Sequence, residues 1–206
     1  MTSSHLGTEQ SNPVATRDRI ATATIEEILE HGVLGLRLAG VAKRAGVSIA
    51  LIHKYFGDRE NLIAEVLADR IERDYKRENE RFLDDVARTA PELNAEVVAG
   101  LMPMPEDEWR REIRWLRIEA RAASQRIPAL RARLSRATSA IVSESENTII
   151  AAREVSGNAS SIPARTIAWA MISYADGFSS RDLNDDTISN VSYRPLIAEL
   201  IRNHVL

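Results

Sequence analysis

Residues 38–62 read LAGVAKRAGVSIALIHKYFGDRENL, and this stretch contains two short segments with apolar residues at helical spacing. The segments, 38–45 and 49–56, are separated by Gly46 to Ser48, a turn that ends in a favourable N-cap residue. Two short helices joined by a tight turn can pack crosswise, so that the second projects into a DNA major groove about 12 Å wide. The stretch therefore predicts a helix-turn-helix unit.

Small and branched apolar residues predict how the two segments pack. Val41, Ala42 and Ala45 would lie against Ile52 and Phe56, because the alanines permit close contact between helices. Gly40 weakens a helix by about 1 kcal/mol relative to alanine, and close approach of another group is the only reason we can give for it.

The predicted unit is basic, although the whole chain carries a net charge of −3. Between residues 35 and 60 there are five basic and two acidic residues, which gives +3; they are Arg37, Lys43, Arg44, Lys54, Arg59, Asp58 and Glu60. Phosphate neutralisation provides most of the nonspecific affinity for DNA, so this balance favours DNA binding. The alternative is a helix pair with solvated charges.

The motif resembles the N-terminal domain of the TetR family of bacterial transcriptional regulators. The resemblance rests on VAKRAGVS at 41–48 and YFGDRENL at 55–62, and it covers roughly residues 17–65. It implies a homodimer with a three-helix DNA-binding domain at 14–58 and a C-terminal domain at 59–206. The C-terminal domain would hold a ligand pocket and dimerise through the last two helices.

The resemblance also implies which residues approach DNA. Bases or nearby backbone would be approached by the second motif helix, and phosphates by residues at its ends and at the start of the first; the set is Arg37, Ser48, Ile49, Ala50, His53, Lys54, Tyr55 and Arg59. Family members usually have Thr at the position of Arg37 and Tyr at that of His53. Ile49 and Ala50 are apolar, so they would contact thymine methyl groups.

The rest of the chain predicts an all-α protein of about nine helices. The expected segments are 15–31, 38–45, 49–56, one capped by Asp58 and running past Phe82, one opened by Pro91, 106–124, 128–154, 164–180 and 193–205. Residues 1–13 are polar and predict a flexible tail. Neither a signal peptide nor an apolar membrane-spanning stretch is visible, so we expect a cytoplasmic protein without a membrane partner.

Candidate ligand-binding residues lie in the central part of the chain. Mostly apolar pockets with a few polar anchors bind small molecules, and the candidates are Met102, Trp109, Trp115 and Glu119. The alternative is that these residues belong to the core, with Glu119 paired to an arginine. Arg110, Arg114, Arg117 and Arg121 form a stripe that either attracts an acidic partner or is a solvated face paired with the acidic helix at 69–80.

Other function classes find little support in the sequence. The chain has no cysteine, and its four histidines lack metal-ligand spacing, so we expect neither an enzyme, a metal site nor a cofactor. We expect a ligand-responsive regulator, a repressor released from a pseudo-palindromic operator by an inducer that the sequence does not identify. Activation remains open, and the alternative class is a helical adaptor or membrane-surface protein.

Overall fold

The computed structural model describes residues 13–89, 94–102, 108–177 and 190–206, with the side chains at 108–110, 175 and 190–193 excepted. These residues form nine helices and no strand: α1 Pro13–Gly35, α2 Leu38–Ala45, α3 Ile49–Phe56, α4 Arg59–Arg88, α5 Ala95–Leu101, α6 Glu108–Ser124, α7 Pro128–Ser156, α8 Ala164–Gly177 and α9 Asn190–His204. The predicted all-α class with about nine helices is confirmed.

Local sequence signals determine several helix boundaries. Helices α2 and α3 have the predicted bounds, and Asp58 caps α4 by accepting a hydrogen bond from the Asn61 amide at 2.7 Å. Helix α1 begins at Pro13, so that residue is not part of the tail; the rest of the predicted tail lies outside the described residues. The predicted end of α1 at Gly32 is a break in helical geometry, after which the helix continues to Gly35.

The prediction that Pro91 opens a helix lies outside the described residues. The described helix α5 begins at Ala95, where the Asn94 side chain caps it by accepting a hydrogen bond from the Val97 amide at 2.9 Å. Asparagine is among the strongest N-cap residues.

The main core is continuous from the helix-turn-helix unit into the C-terminal helices. One cluster of buried side chains joins α1–α4 to α6 and the start of α7, and its fully buried members include Ile20, Leu62, Leu67, Leu116 and Leu130. This cluster crosses the predicted domain boundary at residue 58. Movements of α4 or α6 would therefore be transmitted to α1 by direct packing.

Two smaller clusters of buried side chains lie outside the main core. Helix α5 packs against α9 through Ala95, Ala99 and Ile201, and α7 packs against α8 through Val142 and Ala168. None of the helices described is long and apolar enough to cross a membrane.

Candidate nucleic-acid interface

The helix-turn-helix unit has the packing that the sequence predicts. Val41, Ala42 and Ala45 of α2 and Ile52 and Phe56 of α3 are all buried in the same cluster. This packing fixes α3 against α2 and leaves the opposite face of α3 exposed. An exposed helix held crosswise on a second helix is the geometry that reads a major groove.

The turn between α2 and α3 is closed by backbone and side-chain hydrogen bonds. Gly46 adopts a left-handed conformation, with φ 64° and ψ 41°, and the Val47 amide donates to the Ala42 carbonyl at 3.0 Å. The Ser48 hydroxyl accepts a hydrogen bond from the Leu51 amide at 3.2 Å, which confirms the predicted N-cap. Arg37 precedes α2 without a side-chain cap.

Six of the eight DNA-contacting candidates are exposed. The exposed ones are Arg37, Ser48, Ile49, Ala50, His53 and Lys54, and the half-buried ones are Tyr55 and Arg59. Because Ile49, Ala50, His53 and Lys54 recur at helical intervals, they share one face of α3. The structure thus brings the base-contacting candidates together on the free face of α3.

Arg17 holds the C-terminal end of α3 in place. Its guanidinium donates to the Tyr55 carbonyl at 3.1 Å, lies 4.6 Å from the centre of the Phe56 ring and pairs with Glu65 of α4. Glu65 also pairs with Arg133 of α7 at 3.5 Å. A single side chain on α1 therefore links α3 to the long helix α4.

Arg59, predicted to contact phosphate, is engaged inside the protein. Its Nε donates to the Leu36 carbonyl at 3.0 Å, and one Nη donates to the Val33 carbonyl at 2.6 Å and the Leu34 carbonyl at 3.3 Å. These carbonyls lie at the junction of α1 and α2. The Arg59 guanidinium therefore fixes the junction of α1 and α2. The phosphate contact stays a prediction, and it would involve the other Nη atom of Arg59.

Arg44 is one of the five basic residues counted in the unit, but it pairs with acidic residues of α1. Its Nε donates to the buried Glu27 carboxylate at 2.9 Å, and it also pairs with Glu30. The hydrogen bonds that Arg44 donates to Glu27 and then to Glu30 raise its pKa above the usual value. Counting charges between 35 and 60 missed these partners, so the basic surface is formed by Arg37, Lys43 and Lys54.

Buried Glu27 also explains Gly40. A Cβ at Gly40 would lie 2.3 Å from Glu27 Oε1, so the carboxylate occupies the space that any side chain there would need. Close approach, the reason offered from the sequence, is confirmed.

Glu119, a candidate ligand-binding residue, joins α6 to the end of α1. Its Oε2 accepts a hydrogen bond from the buried Val33 amide at 2.8 Å, just after the helical break at Gly32. Gly32, with φ 70° and ψ 167°, interrupts the helical geometry directly before this amide, and an amide at such a break needs a partner from outside the helix. Glu119 and Arg59 thus hold adjacent peptide groups at the same junction, one from α6 and one from α4.

Two of the other ligand-binding candidates, Met102 and Trp115, have described side chains. Met102 packs against the α5–α9 cluster, and Trp115 on α6 is 37% exposed. The side chain of Trp109 lies outside the described residues. A ligand-binding role stays a prediction for all four.

The arginine stripe of α6 is paired rather than free. Arg117 lies 3.7 Å from Glu78 of the acidic helix, and Arg121 pairs with Asp176 of α8. Arg114 is buried, so it is not part of a solvated face, and the side chain of Arg110 lies outside the described residues. The pairing favours the structural interpretation, and Arg117 contacts the predicted partner helix.

Helices α8 and α9 present an apolar groove of about 240 Å³ on the surface. Leu196 and Leu200 line it and are 50% and 48% exposed, with Ile167, Met171 and Tyr174 below them. In the described ranges, no cluster of three or more His, Asp or Glu side chains could hold a metal ion.

The helix-turn-helix region matches a known family. A sequence profile described as "Bacterial regulatory proteins, tetR family" matches residues 20–66. The HTH-type transcriptional regulator BetI of Agrobacterium fabrum is 36% identical over 62 residues, which is 30% of each chain. The HTH-type transcriptional repressor SCO4008 of Streptomyces coelicolor is 38% identical over 56 residues, 27% of this chain and 29% of the other. The matches thus span about 30% of the length of these curated relatives.

Solved structures extend the likeness to the whole chain. A protein from Rhodococcus sp. described as a TetR-family transcriptional regulator is 27% identical, with a TM-score of 0.68 over 94% of this chain and 100% of the other. Residues 20–66 thus match the TetR family in sequence, and the fold as a whole is that of a TetR-family regulator. The transcriptional regulator FadR from Bacillus subtilis in complex with stearoyl-CoA has a TM-score of 0.61 at 15% identity, covering 92% of this chain and 99% of the other, and shows the same fold.

Three residues that organise this TetR-family domain were not singled out for these roles by the sequence. Arg17, Glu27 and the Arg59 guanidinium act through partners 17 to 48 positions away in the chain. A weak signal existed for Glu27, since Gly40 inside a helix indicates that another group approaches closely. Arg17 and Arg59 carried no such signal.

Proposed function

We propose that this protein is a TetR-family regulator of transcription, which binds DNA sequence-specifically and acts as a dimer in the cytoplasm. The observation that carries the proposal is the free face of α3, which presents Ile49, Ala50, His53 and Lys54 while its opposite face is buried against α2. Two exposed cations, Arg37 before α2 and Lys43 on α2, add positive charge to the unit. Such a face can make base contacts while flanking cations neutralise phosphates.

Dimerisation is supported by the α8–α9 groove. Leu196, Leu200 and Trp169 are each nearly half exposed, and the groove between the two helices is lined almost wholly by carbon atoms. A second copy of α8 and α9 would cover this surface about a two-fold axis. Two copies would then present two α3 helices to successive major grooves of a pseudo-palindromic operator.

A response to a small-molecule inducer is supported by the contacts between α6 and the N-terminal helices. Glu119 links α6 to the junction of α1 and α2, and Arg59 links α4 to the same junction. A ligand that favours a different position of α6 would shift this junction and with it α3, so ligand and DNA binding would oppose each other. A transcriptional regulator from Saccharomonospora viridis, with a TM-score of 0.67 at 19% identity over 93% of this chain and 98% of the other, was solved in complex with choline.

Binding to the DNA that flanks the protein's own coding region tests the proposal. The full chain is titrated onto this DNA and onto a scrambled sequence at two salt concentrations. We expect preferential binding that weakens steeply with salt, because phosphate contacts release counterions. Repression is the expected outcome of binding a promoter, and a reporter gene under that promoter would show it.

Two variants sharpen the test. Lys54→Ala should weaken operator binding and reduce the salt slope by about one unit. Lys76→Ala serves as the control, because Lys76 lies on the surface of α4 and pairs with Glu72 at 3.0 Å. Equal binding to flanking and scrambled DNA, unchanged by Lys54→Ala, would contradict the proposal and favour a helical adaptor.

A further inference from the structure

His53 on the exposed face of α3 makes a reciprocal contact with Gly57. The Gly57 amide donates to the His53 carbonyl at 2.8 Å, and the Nδ1 atom of His53 is hydrogen-bonded to the Gly57 carbonyl. Gly57 has φ 82° and ψ −89°, a conformation that favours glycine and turns its carbonyl back towards the helix. The imidazole is thereby fixed in orientation by the residue that ends α3.

This contact determines where the imidazole carries its hydrogen. A carbonyl oxygen only accepts hydrogen bonds, so Nδ1 must be the protonated nitrogen. In the neutral ring the other nitrogen, Nε2, then has a lone pair and can only accept. His53 is exposed, so its Nε2 acceptor is available to a partner outside the protein.

The chemistry of the major groove limits which DNA atoms can pair with this Nε2 acceptor. Guanine N7 and O6, adenine N7 and thymine O4 are acceptors, as are phosphate oxygens, and none of them can pair with an acceptor. The donors in this groove are the exocyclic amino groups, N6 of adenine and N4 of cytosine. An Nε2 acceptor on α3 is therefore complementary to an amino group and not to the phosphate backbone.

We propose that His53 is a specificity-determining residue that accepts a hydrogen bond from the exocyclic amino group of an adenine or cytosine. The inference rests on the proposed function, because it requires α3 to lie in the major groove. Ile49 and Ala50 on the same face offer only carbon atoms, and Lys54 only donates. Among these four residues His53 alone accepts, so it gives each half-site one position where amino-bearing bases are preferred.

The experiment selects binding sequences from a randomised double-stranded DNA library with the full chain at about pH 8. The His53→Asn variant keeps a side-chain nitrogen near the Gly57 carbonyl but has no group that reaches as far as Nε2. Lys43→Ala is the matched control, since it removes an exposed cation from α2. Thermal unfolding of each variant verifies that it is folded.

We expect the wild-type protein to enrich a two-fold symmetric sequence in which one position of each half-site is preferentially adenine or cytosine. The His53→Asn variant should lose this preference. Lys43→Ala should weaken binding to all sequences without changing the preference. Replacing the preferred base by its analogue without the amino group should weaken wild-type binding about 2- to 10-fold, the range of a single hydrogen bond. The same replacement should leave His53→Asn unaffected.

Two results would overturn the inference while leaving the proposed function intact. One is an enriched symmetric sequence whose base preferences are all retained by His53→Asn. The other is a preferred purine at which removal of ring nitrogen N7, rather than of the amino group, weakens binding, since His53 would then be a donor. Enrichment of no sequence by the wild-type protein would overturn both the proposed function and the inference.

Discussion

Gly40 shows how a single position without a side chain supports the orientation of α2. Its missing Cβ leaves room for the buried Glu27 carboxylate, which receives the hydrogen bond from Arg44. A buried carboxylate is stable only when it is paired, so the ion pair and the glycine depend on each other. The helix-propensity cost of Gly40 is offset by this contact.

Replacing Gly40 by alanine should therefore destabilise the protein, although alanine is the better helix former. The new Cβ would displace Glu27 and disrupt its hydrogen bond with Arg44, and we expect a loss of about 1–3 kcal/mol in the free energy of unfolding. Urea denaturation measures this change. Gly100→Ala is the control, because the nearest atom to its new Cβ would be Arg194 Nη1 at 4.0 Å, and it should be neutral or stabilising. Equal effects of both substitutions would contradict the account.

At the scale of elements, the junction of α1 and α2 depends on two helices that come later in the chain. Arg59 of α4 binds three of its carbonyls, and Glu119 of α6 binds the Val33 amide. The position of α2 relative to α6 is thus determined by polar contacts as well as by packing. This arrangement provides the link that the proposed ligand response requires.

Glu119→Ala should loosen this junction. It would leave the buried Val33 amide without its acceptor, and we expect a cost of about 1–3 kcal/mol and faster hydrogen exchange at that amide. Glu119→Gln retains an oxygen acceptor and should have a smaller effect. NMR-detected exchange of the Val33 amide distinguishes the two variants. If Glu119→Ala left this exchange rate at the wild-type value, the contact would have no role in holding the junction.

Helices α5 and α9 are linked by an ion pair whose effect depends on pH. A hydrogen bond from its own backbone amide and then the pairing with Arg202 hold the pKa of Glu96 below its usual value. A lowered pKa in the folded state contributes stability above the usual glutamate pKa, and this stability is lost as the pH falls through the folded-state value.

Arg202→Gln should raise the pKa of Glu96 only part of the way to its usual value, because the larger contribution from the backbone amide remains. The stability difference between the wild type and this variant should shrink as the pH falls from about 7 to about 3. NMR titration and urea denaturation at both pH values measure these quantities. A difference in stability that grows on acidification would contradict the assignment.

For the molecule as a whole, the sequence predicts what depends on neighbouring residues. The bounds of α2 and α3 and the caps Ser48 and Asp58 follow from residues within four positions of each other. The partners of Glu119 and Arg44 did not follow, because they lie 86 and 17 positions away in the chain. The same separation along the chain explains why the charge count over residues 35–60 overstated the basic surface around α3.

The apolar surface of α8 and α9 leads to a prediction about assembly. Leu200→Glu should raise the dissociation constant of the dimer at least about 100-fold, because it would bury an unpaired carboxylate close to its symmetry mate. Analytical ultracentrifugation measures the constant. Val155→Glu on α7 is the control: Val155 is 91% exposed and does not line the groove, so this variant should dimerise normally. Loss of dimers in both variants would indicate a general effect of added charge.

The central claim is that two copies of the chain place their α3 helices on one DNA duplex. Hydroxyl-radical footprinting of the selected operator, with the mass of the complex determined on the same sample, tests it most directly. We predict two chains per duplex and two protected half-sites related by two-fold symmetry, about one helical turn or 34–36 Å apart. A single protected site bound by one chain, or uniform protection along the DNA, would contradict the claim.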